Sequence, residues 1–206
     1  MRFLVADDHS IVRLGVKLML EADYSHVTID EAENGNEIVE KIKLFRYDLL
    51  ILDFQMPNTD SFNIISNVLA RDQYLKILIY SMASEKIYGG KLLKAGVKGF
   101  LSKEAKNTEL LNAVAIVLEG GIYTSEQLLP GDKNGSPAST NPFDSLSTKE
   151  MDILAYLLQG KTTKEMSNLL NLQLSTVSTH KFRIFKKLNV SNVIELIKLA
   201  KEYSLF

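Results

Sequence analysis

Three carboxylates are the residues in this sequence with the clearest chemical potential, because each stands directly after a short apolar run. Asp7 and Asp8 follow residues 3–6, and Asp53 follows residues 49–52. Carboxylates that are crowded together repel one another, so such a cluster is costly unless a cation neutralises it. Mg²⁺ fits best, since it prefers oxygen ligands and commonly binds through one or two carboxylates together with water and phosphate oxygens. The acids therefore predict a Mg²⁺ site at which a carboxylate attacks a phosphoryl group.

A hydroxyl and a lysine complete the set. Ser81 follows the apolar run at residues 77–80 and is suited to donate a hydrogen bond to a phosphoryl oxygen. Lys103 comes shortly after residues 99–101 and supplies a positive charge. Taken singly, each of these residues has an ordinary structural explanation. The ordered succession of acid pair, acid, hydroxyl and lysine is what favours phosphoryl chemistry.

The elements that must position these residues alternate regularly along the first 120 positions. Short apolar runs predict strands at residues 3–6, 27–30, 49–52, 77–80 and 99–101. Apolar residues at helical spacing predict helices at residues 11–20, 37–45, 61–70, 85–95 and 108–118. Strands that are almost wholly apolar are buried on both faces, which indicates a parallel sheet covered by helices. We therefore predict a doubly wound five-stranded α/β domain, whose ligands bind at the carboxyl ends of the strands.

A second, smaller all-α domain is predicted after a linker. Residues 130–145 hold three of the four prolines and show no periodicity. We place the first domain at residues 1–122, the linker at 123–145 and the second domain at 146–206. Helices are predicted at residues 148–159, 163–170, 176–188 and 191–203. Capping-box patterns start the first two of these helices, and Ser175 and Ser191 are expected to cap the other two.

The second and third of these helices are separated by a short turn, which is the spacing of a helix-turn-helix unit. On the third helix Val177, Ile184 and Leu188 form one stripe that is expected to face the core. The opposite face mixes small hydroxyls, cations and the large apolar side chain of Phe182. Two interpretations of Phe182 remain open. It contacts a thymine methyl group in the major groove of DNA, or it contacts protein, either another subunit or the first domain.

Composition narrows the class of protein. The 206 residues include no Cys, which excludes disulfides and thiolate sites, and hold no apolar run of the roughly 18 residues that span a bilayer. The net charge of −1 hides an asymmetry, because residues 146–206 carry nine Lys and Arg against five Asp and Glu, whereas the preceding residues are net acidic. The cytoplasm is the expected compartment. His9 and His26 have no ligand partner at a useful spacing and are expected to be incidental.

The first 120 or so residues resemble the receiver domain of two-component response regulators, which has a flavodoxin-like fold. The resemblance rests on the motifs at residues 5–9, 48–57, 81–82 and 98–103. It implies that a sensor histidine kinase phosphorylates Asp53. It further implies a Mg²⁺ site and a phosphate-sensitive switch. The implied metal ligands are Asp7, acting largely through water, together with Asp8, Asp53 and the backbone carbonyl of Gln55, and the implied switch residues are Ser81, Phe100 and Lys103.

The C-terminal region is similar to the LuxR-type helix-turn-helix domain of the NarL/FixJ family, and its Val-Ser-Thr-His-Lys-Phe-Arg stretch, residues 177–183, is similar to the BvgA/EvgA subgroup. The resemblance implies a homodimer on an inverted-repeat site in double-stranded DNA, with RNA polymerase as a further candidate partner. The residues expected to contact DNA are Lys164, Ser175, Thr176, Ser178, Thr179, Lys181, Phe182, Arg183 and Lys186. Those expected at a dimer contact of the last helix are Val193, Ile194 and Ile197.

These expectations describe a phosphorylation-switched transcription factor, not an enzyme. Two alternatives remain. An aspartyl-phosphate hydrolase or phosphotransferase would use the same carboxylate chemistry, but such enzymes need a second acid two residues after the nucleophile, where this chain has Gln55. A receiver that acts without phosphorylation is the third reading, and the intact set of acids argues against it.

Overall fold

The structure, a computed structural model, describes residues 1–57, 59–124, 141–203 and 205. The chain divides into two compact units, an N-terminal α/β unit and a C-terminal helical unit. No helix in the described ranges is long and apolar enough to cross a membrane. Most of the predicted linker, at residues 125–140, lies outside the described residues.

The N-terminal unit has the predicted doubly wound sheet. Its strands are β1 (Arg2–Ala6), β2 (Thr28–Ala32), β3 (Leu49–Leu52), β4 (Lys76–Ser81) and β5 (Gly99–Ser102). Its helices are α1 (Ser10–Asp23), α2 (Gly35–Leu44), α3 (Ser61–Arg71), α4 (Glu85–Lys94) and α5 (Asn107–Leu118). All strand pairs are parallel, and the spatial order is β2-β1-β3-β4-β5. The chain order therefore reverses beside β1, which opens a crevice for a ligand at the carboxyl ends of β1 and β3.

The register of the sheet sets where the strand-end residues lie. Ala6 of β1 pairs with Leu52 of β3, so the residues that follow them, Asp7 and Asp53, leave the sheet at the same level. The central strands are held in place by burial, since every residue of β3 is buried and the inner face of α5 packs in the same core. A core of this kind fixes strand ends firmly, because a slip of one residue would expose apolar side chains.

β2 differs from the expectation of a strand buried on both faces. It lies at the edge of the sheet and begins one residue later than predicted, and three of its residues are only partly buried. Asp30 on this strand accepts hydrogen bonds from the Arg2 guanidinium at 2.7 Å and from the Tyr47 hydroxyl at 2.8 Å. An edge position with polar partners thus accommodates a charged residue that a central strand would not.

Tyr123 extends the pairing beyond β5. The Phe100 N–H donates to the Tyr123 carbonyl at 2.8 Å, and the Tyr123 N–H donates to the Lys98 carbonyl at 3.0 Å. Position 123, the first residue of the predicted linker, is therefore hydrogen-bonded to the N-terminal unit.

The C-terminal unit is helical, as predicted. A short 3-10 helix at Pro142–Ser145 precedes α6 (Thr148–Leu158), α7 (Thr163–Leu169), α8 (Leu174–Leu188) and α9 (Val193–Glu202). The predicted core stripe of α8 is confirmed, since Val177 and Ile184 are fully buried and Leu188 nearly so. These side chains share the core of the unit with buried apolar residues of the other helices, namely Ile153, Leu154, Leu157, Met166, Leu196 and Ala200.

The helix starts are partly as expected. Both capping boxes are present, at Ser147 on α6 and Thr162 on α7. The expectation for Ser175 is wrong, because α8 begins earlier, at Leu174, with Gln173 as its N-cap and no side-chain cap bond. The expectation for Ser191 is also wrong. Asn192 caps α9 by accepting from the Glu195 N–H at 2.9 Å. Of Ser191 and Asn192, it is Asn192 that stands three residues before Glu195, the spacing of a capping box.

Candidate functional site

Asp53 is the centre of the acid site in the N-terminal unit. It is almost completely buried, and its Oδ1 accepts a hydrogen bond from the Ser81 hydroxyl at 2.6 Å and another from the Gln55 N–H at 3.0 Å. Its Oδ2 accepts from the Lys103 ammonium at 2.7 Å. A buried carboxylate is costly unless it is paired and hydrogen-bonded, and these three donors meet that requirement. The structure thus brings the predicted acid, hydroxyl and lysine into direct contact.

Lys103 joins two carboxylates. Its Nζ lies 2.6 Å from Asp7 Oδ2 as well as 2.7 Å from Asp53 Oδ2, and its side chain is only 11% exposed. Burial by itself would lower the pKa of Lys103, but the hydrogen bonds and negative charges of Asp53 and Asp7 outweigh burial and raise that pKa above its ordinary value. The lysine is therefore a fixed cation that holds the ends of β1, β3 and β5 together.

Asp8 contributes a carboxylate that faces solvent on one side. Its Oδ1 is buried and accepts no hydrogen bond from any residue that the structure describes, although His9 Nδ1 lies 3.0 Å away. Ligand atoms of Asp7, Asp8, His9 and Asp53 all lie within 4.8 Å of one another. Clustered carboxylate oxygens, one of them lacking a donor, form a set that suits a hard divalent cation such as Mg²⁺.

His9 corrects an expectation. Its ring was expected to lack a ligand partner, yet its Nδ1 lies 3.2 Å from Asp7 Oδ1, and its backbone N–H donates to the same oxygen at 2.9 Å. The residue types alone do not predict this contact, because it depends on how the turn after β1 brings the side chain of Asp7 back to the residue two positions later. The ring is mostly exposed, with 64% of the side chain accessible.

The remaining predicted residues of this site lie close by in the fold. Ser81 is fully buried at the end of β4, and its hydroxyl also accepts from the Ala83 N–H at 3.3 Å. Phe100 is 2% exposed on β5, next to β4 in the sheet. For Gln55 the structure shows its backbone N–H donating to Asp53 Oδ1, whereas ligation of Mg²⁺ by its carbonyl stays a prediction.

The second candidate surface is the outer face of α8. Phe182 is 68% exposed on this face. The Ser178 hydroxyl donates to the Leu174 carbonyl and the Thr179 hydroxyl to the Ser175 carbonyl, each at 2.9 Å. Most of the predicted DNA-contacting residues are exposed, namely Lys164, Ser175, Ser178, Thr179, Phe182, Arg183 and Lys186.

Two predicted DNA contacts are less accessible. Thr176 and Lys181 are half-buried, and the Lys181 ammonium lies 5.6 Å from the centre of the Phe185 ring, a cation–π contact. One exposed residue was missed, since Leu174 is 52% exposed at the start of the same helix. Its spacing of eight residues before Phe182 was a readable signal, because positions separated by four and eight residues share a helix face.

The predicted dimer residues on α9 differ in exposure. Ile194 is 69% exposed, whereas Val193 and Ile197 are half-buried. Ile194 is thus the apolar side chain of the three that is most available to a second molecule.

Comparisons with known proteins identify the family of each unit. Residues 3–115 match the family model of the response regulator receiver domain, and residues 144–200 match that of the bacterial regulatory proteins of the luxR family. The Fimbriae Z protein of Salmonella typhimurium is 31% identical over 203 residues, which cover 98% of this chain and 97% of the relative. The oxygen regulatory protein NreC of Staphylococcus carnosus is 32% identical over 209 residues, covering 97% and 96%.

A solved structure and a further relative are similar to this chain over almost its whole length. RcsB from Salmonella enterica serovar Typhimurium, bound to the promoter rprA in the presence of the phosphomimetic BeF3−, matches with a TM-score of 0.63 and 25% identity over 98% of both chains. The response regulator GacA of Pseudomonas protegens is 31% identical over 99% of this chain and 97% of its own length. The chain belongs to the DNA-binding response regulators of the NarL/FixJ type, in which a receiver domain precedes a LuxR-type helix-turn-helix domain.

Proposed function

We propose that Asp53 accepts a phosphoryl group from a sensor histidine kinase and that the C-terminal unit responds by changing how it binds promoter DNA. The observation that carries this proposal is the contact of Asp53 with both the Ser81 hydroxyl and the Lys103 ammonium. Because both groups donate to Asp53, they would move in response to negative charge added at this carboxylate. They are also the two donors that a phosphoryl group on Asp53 would need.

The chemistry is a phosphoryl transfer between two side chains. A carboxylate oxygen of Asp53 forms a bond to phosphorus as the bond from phosphorus to the kinase histidine nitrogen breaks. That nitrogen keeps the electron pair, and the imidazole leaves neutral because its other ring nitrogen carries a proton. Mg²⁺ would be held by Asp8, Asp53 and the Gln55 carbonyl, with Asp7 acting through water, and when bound it would neutralise charge on the phosphoryl oxygens. The buried oxygen of Asp8 that accepts no hydrogen bond from a described residue supports this assignment.

Phosphorylation alters the hydrogen bonds of the site. The Ser81 hydroxyl, which now donates to Asp53 Oδ1, would donate to a phosphoryl oxygen, and Lys103 would pair with the added negative charge. Because Ser81 ends β4 and Phe100 lies on the neighbouring β5, we propose that movement of Ser81 is followed by the Phe100 ring. Those strands lead into α4 and α5, so the surface of these helices is the element that the phosphoryl group switches.

The output is transcriptional control by a homodimer in the cytoplasm. The exposed face of α8 would enter the major groove, and Ile194 of α9, with Val193 and Ile197, would contact the second copy on an inverted-repeat site. RNA polymerase is a further proposed partner. We propose that the protein is not an enzyme in its own right, since the side chain of Gln55 is an amide, which cannot act as a general acid, where a hydrolase would place its second acid.

Labelling with acetyl phosphate tests the phosphoacceptor. We expect Mg²⁺-dependent labelling of the wild type at a single site and none in Asp53→Asn. Asp60→Asn is a matched control, because Asp60 is an exposed acid that caps α3 and Asn caps helices equally well. Continuous turnover of a phosphorylated substrate would instead show a hydrolase, and an absence of labelling would show a receiver that works without phosphorylation.

A further inference from the structure

The outer face of α8 changes character along its length. Leu174, Ser178 and Phe182 lie four residues apart on one line, and the two apolar members are 52% and 68% exposed. Within α8 the first exposed charged residue is Arg183, because Lys181 is half-buried against the Phe185 ring. The stretch from Leu174 to Phe182 therefore presents apolar and hydroxyl groups, and the exposed cations begin at Arg183.

Two of the four hydroxyls in this stretch are oriented by the helix itself. Ser178 Oγ donates its proton to the Leu174 carbonyl and Thr179 Oγ1 donates to the Ser175 carbonyl. Both residues are exposed, and with their protons engaged their oxygens act as hydrogen-bond acceptors, while Thr179 also has a methyl group. A face of acceptors and apolar groups is chemically complementary to donors and methyl groups.

The major-groove edge of an A·T pair has these features. Adenine presents its N6 amino donor and thymine its 5-methyl group. A G·C pair also presents a donor, at cytosine N4, but it has no methyl group and its guanine acceptors call for Arg or Lys, so the methyl group is what distinguishes the A·T pair. The N-terminal residues of a recognition helix contact base edges, and cations contact phosphates. On α8 the exposed apolar and hydroxyl residues lie between Leu174 and Phe182, and the exposed cations Arg183 and Lys186 follow them.

We infer that Phe182, assisted by Leu174, reads thymine methyl groups, so that each half-site bound by this protein has A·T pairs opposite the stretch of α8 from Leu174 to Phe182. The inference rests on the proposed DNA binding by α8 and adds its base preference. A second protein molecule is a poorer occupant of this face. Two apolar side chains separated by the Ser178 hydroxyl and bordered by cations offer far less area than the roughly 1,000 Å² that a stable interface buries.

The test removes single methyl groups from DNA. Sequences bound by the full-length protein are selected from a random pool, and each thymine in the selected half-site is replaced in turn by deoxyuridine, which lacks only the 5-methyl group. We expect about a fourfold loss of affinity at each contacted thymine, the value of burying one methyl-sized group. Phe182→Ala should lose this sensitivity at one thymine per half-site, and Phe182→Lys should shift the selected base there toward guanine.

Leu169→Ala is the matched control, because Leu169 is a similarly exposed apolar residue that belongs to α7 and not to α8. It should keep the full pattern of deoxyuridine sensitivity. If no deoxyuridine alters binding while affinity still falls with salt, the methyl reading is overturned and DNA binding stands. If Phe182→Ala keeps the deoxyuridine pattern but changes the oligomeric state, Phe182 is a protein contact and the inference fails. If no salt-dependent DNA binding occurs at all, the proposed function itself fails.

Discussion

The acid site around Asp53 and the outer face of α8 differ in where their central side chains find partners. Asp53 is 5% exposed and accepts hydrogen bonds from Ser81, Gln55 and Lys103. Phe182, at the centre of the α8 face, is 68% exposed. A buried charge must find its partners within the fold, so its neighbours dictate its chemistry. An exposed face finds its partners in another molecule, so the fold constrains only which residues are offered.

The largest predicted effect concerns the buried acid site and comes from removing its lysine. Lys103→Met leaves Asp7 and Asp53 buried without their shared cation, and we expect the N-terminal unit to lose about 3–5 kcal/mol of unfolding free energy when Mg²⁺ is absent. Added Mg²⁺ should restore part of this loss because it supplies positive charge to the same carboxylates. Urea unfolding with and without Mg²⁺ measures both. Lys106→Met, at an exposed lysine before α5, should change neither, and equal stability of the two variants would contradict the account.

A smaller effect concerns an ion pair between a buried carboxylate and an exposed lysine in the other unit. Glu150 of α6 is 3% exposed and accepts from the Lys187 ammonium at 2.6 Å and from the Ser147 N–H at 2.7 Å. Burial would raise the pKa of Glu150, but the bonds from Lys187 and Ser147 outweigh it and lower that pKa below 4.5. The ionised pair therefore stabilises the C-terminal unit above pH 4.5, and this stability is lost as pH falls through the lowered pKa.

Glu150→Gln measures how much that ion pair contributes to the unfolding free energy of the C-terminal unit. At pH 7 we expect the variant to unfold with about 1–3 kcal/mol less free energy than the wild type, since hydrogen bonds to a charged group are lost. The difference should shrink on acidification, because the wild type also loses the charge there. Urea unfolding followed through NMR signals of α6 at several pH values reports both. A difference that stays constant down to the most acidic pH would show that the carboxylate charge is not what Glu150 contributes.

The smallest predicted effect concerns the exposed face of α8 and its affinity for DNA. Lys186→Ala should weaken binding to every DNA sequence alike and reduce the slope of log affinity against log salt by about 0.9, the value of one phosphate contact. Binding isotherms at four or more salt concentrations give the slope. A change in base preference with an unchanged slope would place Lys186 among the base-reading residues instead.

The same contrast explains how far the sequence could predict the molecule. The apolar runs of β1, β3, β4 and β5 have to be buried, and burial fixes where they end, so the meeting of Asp7, Asp53 and Lys103 follows from the sequence. The bridging position of Lys103 between two carboxylates does not follow, because it depends on side-chain conformations that only the packed site selects. The place of His9 beside Asp7 and Asp8 depends likewise on the local path of the turn after β1.

In the C-terminal unit the core stripe of α8 was predictable and the start of the helix was not. Val177 and Ile184 face the core because apolar residues at helical spacing have no better place. Ser175 is a favourable capping residue by type, yet α8 begins before it, at Leu174, so a capping preference of about 1 kcal/mol does not by itself decide where this helix starts. The early start is what places Leu174 on the exposed line with Phe182.

The central claim is that phosphorylation of Asp53 controls DNA binding by α8, and one measurement tests it directly. The affinity of the full-length protein for its selected DNA is measured before and after treatment with acetyl phosphate and Mg²⁺, in the wild type and in Asp53→Asn. Coupling between two sites in proteins typically changes affinity by about 5- to 150-fold, and we expect a change in this range for the wild type and none for Asp53→Asn. An equal response of the two proteins, or no response of a wild type that is demonstrably phosphorylated, would contradict the account.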